Sequence, residues 1–175
     1  MASFDFGGVI RVDPATNRVV ARIKTGRGPI GVAFGAGSVW VANWLANTVT
    51  RIDPATGKAL ATIKVTATGP EGMAFGASSL WVSNKAGSVS RIDPRTNRQV
   101  ALIKVRPEPR YLAVGAGSVW VADYNDASVI RVDAATGRVL GHVLTGPQPR
   151  GIAVGAGGAW VANSAGSTLS HVVPR

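Results

Sequence analysis

Cysteine is absent from this 175-residue sequence, and the other metal-binding and acid–base side chains are scarce, with His142, His171, Glu71 and Glu108 the whole supply of histidine and glutamate. Without thiols there are no disulfides, thiolate metal sites or cysteine nucleophiles, so stability must come from packing. A hard-cation site needs several convergent oxygen ligands, and the nine acidic residues are scattered along the chain. No serine stands in a nucleophile elbow and no glycine-rich phosphate loop precedes a helix. Asp123 and Asp126 are the one close carboxylate pair, and they read as a solvated loop pair. No catalytic residue, metal or cofactor is therefore expected. No apolar run approaches the ~18 residues of a membrane helix. The start, Met1-Ala2-Ser3-Phe4-Asp5-Phe6, lacks the charged-then-apolar layout of a secretion signal. A soluble chain without a membrane partner is expected, cytoplasmic or secreted after processing.

What the sequence does contain is β-branched and small. The hydrophobic share of 46% is mostly Val, Ile and Ala, accompanied by 22 Gly and 10 Pro, a mixture suited to short strands and tight turns. The length suits a single domain, whose folding hides roughly 70% of the surface the unfolded chain exposes.

The formal net charge is +10, which raises the question of nucleic acid. Most of the positive residues, however, follow a period of 40. Arg11, Arg51, Arg91 and Arg131 form one series; Arg18, Lys58, Arg98 and Arg138 a second; Lys24, Lys64 and Lys104 a third. Periodic charge belongs to a scaffold, and cations along an outermost strand block edge-to-edge aggregation. This argues against the clustered patch that nucleic-acid binding requires.

The repeat itself is the strongest feature. Arg-Val/Ile-Asp recurs at 11–13, 51–53, 91–93 and 131–133, each time followed by a variant of Pro-Ala-Thr-Gly. Gly-Ala-Gly-Ser-Val-Trp-Val-Ala-Asn at 35–43 is echoed around Trp81, Trp120 and Trp160. One repeat reads as four strands: A (Gly31–Phe34), B (Val39–Asn43), C (Thr48–Asp53) and D (Lys58–Lys64). The A–B and C–D links are hairpin turns, the latter ending in Asn17, Gly57, Asn97 or Gly137, residues that tolerate a left-handed backbone. On strand B, Val39 and Val41 face one way while Trp40 and Ala42 face the other, so both faces are apolar. Such sheets need cover on both sides, which a ring of sheets stacked face to face supplies. The expected fold is all-β, a β-propeller with four-stranded antiparallel blades, residues 1–175 forming one domain of four ~40-residue repeats. The strand B tryptophans, Trp40, Trp81, Trp120 and Trp160, are expected in the core, and the Arg and Asp of strand C, two apart on one face, as a structural ion pair.

The pattern Pro-x-Gly-Val-Ala-Phe-Gly-x-Gly-x-Val-Trp-Val-Ala-Asn, followed by Val-x-Arg-Ile-Asp-Pro-Ala-Thr-Gly, resembles the bacterial YVTN and NHL-like propellers, and particularly the virginiamycin B lyase-like branch. The resemblance covers nearly the whole chain. A lyase of that branch would open a cyclic depsipeptide by metal-assisted elimination, using His and Glu groups at the channel mouth. Here His142 falls on a D strand and His171 on the terminal C strand, so none of those roles carries over to a residue of this sequence. The reading favoured is a non-enzymatic binding or interaction scaffold, with a degenerate lyase as the alternative.

A site is expected where the repeats diverge. The A–B and C–D turns, at one end of the ring, are short and uniform. The B–C and D–A loops, at the other, vary in sequence and length, and loops on a rigid scaffold are where binding resides. The candidate ligand-binding residues are Trp44, Lys85, Tyr124 and Asp126 after the B strands, and Ile30, Glu71, Arg110 and Arg150 directly after the loop prolines. The arginines and the glutamate suit a small anionic, zwitterionic or peptide ligand.

The ends complement each other. The N-terminus supplies C (Val9–Val12) and D (Arg18–Lys24), and the C-terminus supplies A (Gly151–Val154), B (Ala159–Asn163) and C (Thr168–Val173). A last blade closed by the N-terminal strands is expected, within one chain of four blades or between two chains in an eight-bladed ring. The Ala- and Gly-rich inner strands favour the flatter packing of the homodimer.

Overall fold

Alternation on the strands builds the molecule. The computed structural model describes residues 1–106, 108–155 and 157–173, and among these there is no helix, only five antiparallel sheets. No helix is long and apolar enough to cross a membrane. The three central sheets have four strands each. Sheet II holds β4 (Pro29–Gly35), β5 (Ser38–Asn43), β6 (Thr48–Ile52) and β7 (Ala59–Lys64). Sheet III holds β8 (Pro70–Gly76), β9 (Ser79–Asn84), β10 (Ser88–Asp93) and β11 (Arg98–Lys104). Sheet IV holds β12 (Pro109–Gly115), β13 (Ser118–Asp123), β14 (Ser128–Asp133) and β15 (Val139–Leu144). In each the strands pair in sequence order. The first strands β4, β8 and β12, together with β16 (Pro149–Gly155), lie against one another in succession, so the sheets fan out from a common inner edge as propeller blades do.

The terminal sheets have three strands. Sheet I is β1 (Ala2–Ser3), β2 (Gly8–Asp13) and β3 (Arg18–Lys24); sheet V is β16, β17 (Gly158–Asn163) and β18 (Thr168–Val172). Within a single chain the ends therefore stand as separate sheets rather than sharing one blade. The reason is local: two residues, paired as Ala2↔Val9 and Ser3↔Gly8, occupy the inner edge of β2, while β18 occupies the outer edge of β17. The sequence pattern gave no sign of β1, which is too short to show alternation.

The core lies between sheets. Trp40, Val49 and Ile63 of sheet II are buried against Leu80, Val82 and Ile92 of sheet III. Trp81 and Val89 of sheet III meet Leu112, Val119, Val121 and Val132 of sheet IV, and Trp120 and Val129 meet Ala159, Val161 and Val172 of sheet V. Sheets II, III and IV thus each present a tryptophan face to the sheet that follows. Trp40, Trp81 and Trp120 are fully buried, and their indole N–H groups donate to Gly35, Gly76 and Gly115 carbonyls. Trp160 belongs to the last sheet, has no successor in the chain and is 42% exposed.

The Arg-x-Asp pair of strand C is not an ion pair. Each aspartate turns to its own C–D hairpin, Asp53 accepting from the Ala55 N–H at 2.8 Å and Asp93 from that of Arg95 at 2.8 Å. These turn hydrogen bonds hold the carboxyls of Asp13, Asp53, Asp93 and Asp133 below their ordinary range. Arg51, Arg91 and Arg131 instead lean over the tryptophan of their own blade, and Arg11, Arg51 and Arg91 reach the turn of the next. Arg51 stacks on Trp40 at 5.0 Å and donates to the Pro94 carbonyl at 2.6 Å; Arg91 stacks on Trp81 and donates to the Ala135 carbonyl at 3.2 Å. Arg11 reaches the Pro54 carbonyl at 2.9 Å. The turn N–H groups are near neighbours in sequence, so the aspartates are taken before any cross-face partner can compete.

Candidate functional site

The loop face is assembled by the same two devices in each repeat. First, the residue after each B strand is clamped by backbone to the loop that precedes the A strand of its own blade: Trp44 N–H donates to Gly28 O, Lys85 to Gly69 O, Tyr124 to Glu108 O and Ser164 to Gln148 O. Second, every A strand begins with a β-bulge. Pro109 pairs with Asp123 and Tyr111 with Ala122, leaving Arg110 as the extra residue; Pro149 and Gly151 likewise skip Arg150. Pro29 to Val32 skips Ile30 and Gly31, and Pro70 to Met73 skips Glu71 and Gly72. A bulge re-aims the side chain it frees. The four residues after the loop prolines are thus all among those that the strand pairing releases at the inner edge.

Three blades converge on Arg110. Its guanidinium lies 3.7 Å from the Glu71 carboxylate and 3.9 Å from that of Glu108, whose other oxygen is 3.8 Å from Lys85 Nζ. Arg110 also covers the Tyr124 ring at 4.4 Å, with Arg150 on the same ring at 5.3 Å and donating to the phenol oxygen at 3.4 Å. Lys85 extends the group to the Trp44 indole at 5.9 Å. Trp44, Leu45, Asn47, Thr68, Gly69, Lys85 and Ala86 line a cavity of about 330 Å³ beside it. The carboxylate-to-cation distances exceed hydrogen-bond length, and Arg110 Nε is buried without a partner, so donors in this cluster remain unused. Burial pushes the Glu71 carboxyl up, against the pull of Arg110 and Lys85.

Close packing fixes the cluster from below. Ser83 Oγ on β9 donates to the Arg110 carbonyl at 2.6 Å and accepts from Gly72 N–H at 3.0 Å, tying the inner strands of sheets III and IV. A Cβ on Gly72 would run into the Arg110 carbonyl, so glycine is required for the approach.

Of the sequence-derived candidates, Trp44, Glu71, Lys85, Arg110, Tyr124 and Arg150 come together here. Asp126 does not: it bonds Arg106 at 2.6 Å, and Arg106 lies 3.4 Å from His142. Ile30 occupies the equivalent bulge on sheet II, half-exposed. Glu108 was not singled out from sequence, although a signal existed. The residue before each loop proline has a left-handed backbone, and the four are Gly28, Gly69, Glu108 and Gln148. Glu108, at φ 62°, carries a side chain where two repeats use glycine, as Gln148 does at φ 52°.

These features define an all-β repeat protein of propeller architecture with a charged, aromatic-backed cluster on its variable face. No family model matches the chain, and no curated protein is similar to it. Among solved structures it is similar to the hydrazine synthase of Kuenenia stuttgartiensis, with a TM-score of 0.77 and 16% sequence identity over 95% of this chain. The chain spans 60% of the length of that one. At this identity the likeness concerns the fold alone.

Proposed function

We propose that the protein is a non-enzymatic binding module of the YVTN/NHL-like propeller type, recognising a small zwitterionic ligand such as an acidic peptide or amino acid through the cluster around Arg110. The observation that carries this reading is the mixed charge of the cluster: three cations and two carboxylates drawn from three blades, at distances too long for mutual hydrogen bonds. A ligand carboxylate would take the free donors of Arg110 and Arg150, and its ammonium group would lie by Glu71 and Glu108. Tyr124 and Trp44 supply apolar backing. The two histidines are not part of this arrangement: His142 lies by Arg106, and His171 stacks on Trp160 at 4.0 Å.

The test is a thermal-shift screen with free amino acids and acidic dipeptides, since a ligand that binds only the folded state raises the melting temperature. A hit whose stabilisation disappears in Arg110→Ala and in Arg150→Ala supports the reading. Stabilisation that persists in both variants contradicts it.

A further inference from the structure

The faces and inner edges left uncovered at the two ends of the chain match each other, part by part, in the way that successive blades match inside it. Inside the chain, Gly35, Gly76 and Gly115 leave room for Phe75, Val114 and Val154 of the following blade. At the ends, Gly155 has open space around its Cβ position among the described residues, and Phe34, the residue equivalent to Phe75, is 66% exposed. Gly31 and Gly72 admit the carbonyls of Glu71 and Arg110 from the next inner strand, whereas Gly151 meets only Ala162 of its own sheet. The carbonyl in the corresponding place is that of Ile30. Trp160 is exposed where Trp40, Trp81 and Trp120 are buried, and Val12 is 45% exposed where Ile52, Ile92 and Val132 are buried.

Strand inventory agrees. Among the described residues no strand takes the innermost place in sheet I and none takes the outermost place in sheet V. The two-residue β1 is a minimal occupant of the position next to β2, and β18 departs from the repeat, with His171 for Arg and Val173 for Asp. The hairpin β16–β17 and the hairpin β2–β3 together contain one complete blade. In a single chain these hairpins lie in separate sheets.

We infer that two copies close a ring of eight blades by end exchange, the β16–β17 hairpin of one copy completing the blade begun by β2–β3 of the other. Phe34 then covers Gly155 of the partner subunit, Trp160 enters the space between that blade and sheet II of the other copy beside Val9, Val41 and Ile52, and Val12 packs on Trp120 as Val172 does in one chain. The occupant is a second copy because the open surfaces repeat the chain's own inter-blade contacts. This inference is independent of the ligand proposed above.

Mass in solution by light scattering at micromolar concentration tests it. The native protein is expected at twice 18.0 kDa. Trp160→Asp and Val12→Asp, each folded by circular dichroism, are expected to halve the mass. Mixing the two variants is expected to restore a 1:1 dimer, because each keeps the end that the other has lost. That rescue separates a blocked interface from a chain that failed to fold. A native mass of 18.0 kDa at all concentrations overturns the inference, and assigns the open faces to other partners such as further blades of a longer polypeptide. Variants that stay dimeric, or a mixture that stays monomeric, overturn it equally.

Discussion

Arg51 of one blade donates to the Pro94 carbonyl of the next at 2.6 Å while its guanidinium lies 5.0 Å from the Trp40 ring centre. The same contact recurs from Arg11 to Pro54 and from Arg91 to Ala135, one repeat further on each time. The period-40 arginines are thus inter-blade staples whose charge is spent on carbonyls. The counterpart for Arg131 falls at position 174, outside the described residues. Arg51→Ala removes a charge-assisted hydrogen bond and the cover over a buried indole, and is expected to cost about 1.5–3 kcal/mol in urea denaturation. Arg51→Lys recovers little of this, because one ammonium cannot both lie flat on Trp40 and reach Ser38, Pro94 and Asn97. A loss under about 0.5 kcal/mol, the range of an ordinary surface substitution, would show that the staple is not structural.

Asp123 stands where the other blades have Asn43, Asn84 and Asn163. Asn84 donates to Ser88 and Ser90 at 3.2 and 2.9 Å, but in sheet IV Ser128 Oγ and one Asp123 oxygen are buried without partners, and Ile130 replaces the second hydroxyl. Burial is the main cause raising the Asp123 carboxyl, with the Asp126 N–H opposing. A folded-state value above the unfolded one means that the native chain holds the proton more tightly. The group's contribution to stability is therefore full at acid pH and is lost as pH rises from its ordinary value of 3.8 through the raised one. Asp123→Asn is expected to stabilise the protein by about 1–2 kcal/mol at neutral pH, and by progressively less toward acid. A gain that does not change with pH would remove ionisation as the cause.

Glu108 holds a left-handed backbone, at φ 62°, with its carboxylate beside Lys85 and Arg110. Glu108→Gly is expected to raise stability by about 1 kcal/mol, since glycine carries no Cβ penalty there. It should also weaken the binding of an acidic dipeptide about tenfold, the worth of one charge-assisted contact to the ligand ammonium. Tighter binding instead would identify the ligand as purely anionic, because the variant frees Lys85 and Arg110 from a competing carboxylate.

The blades were legible in the sequence because the repeat writes the same alternation four times, and the buried tryptophans followed from two-faced strands. The loop cluster was legible in part. Residues after the prolines could be placed at the inner edge, but loop membership does not tell direction, and Asp126 turned out to pair with Arg106. The Arg-x-Asp pairing failed because sharing a face says nothing of nearer competitors, which for each aspartate were the N–H groups of its own turn. Glu108 was overlooked because its distinction is a backbone angle, visible in sequence only as one of two non-glycine residues in the series Gly28, Gly69, Glu108, Gln148.

The proposed recognition face is the one where Arg110 gathers its neighbours. Amide NMR of the 18.0 kDa chain during titration with the dipeptide that most stabilises it addresses this directly. Shifts are predicted for Glu71, Lys85, Glu108, Arg110, Tyr124 and Arg150, with Asp53–Gly57 and the equivalent turns unmoved. Shifts concentrated in those turns, at the opposite end of the blades, would contradict it.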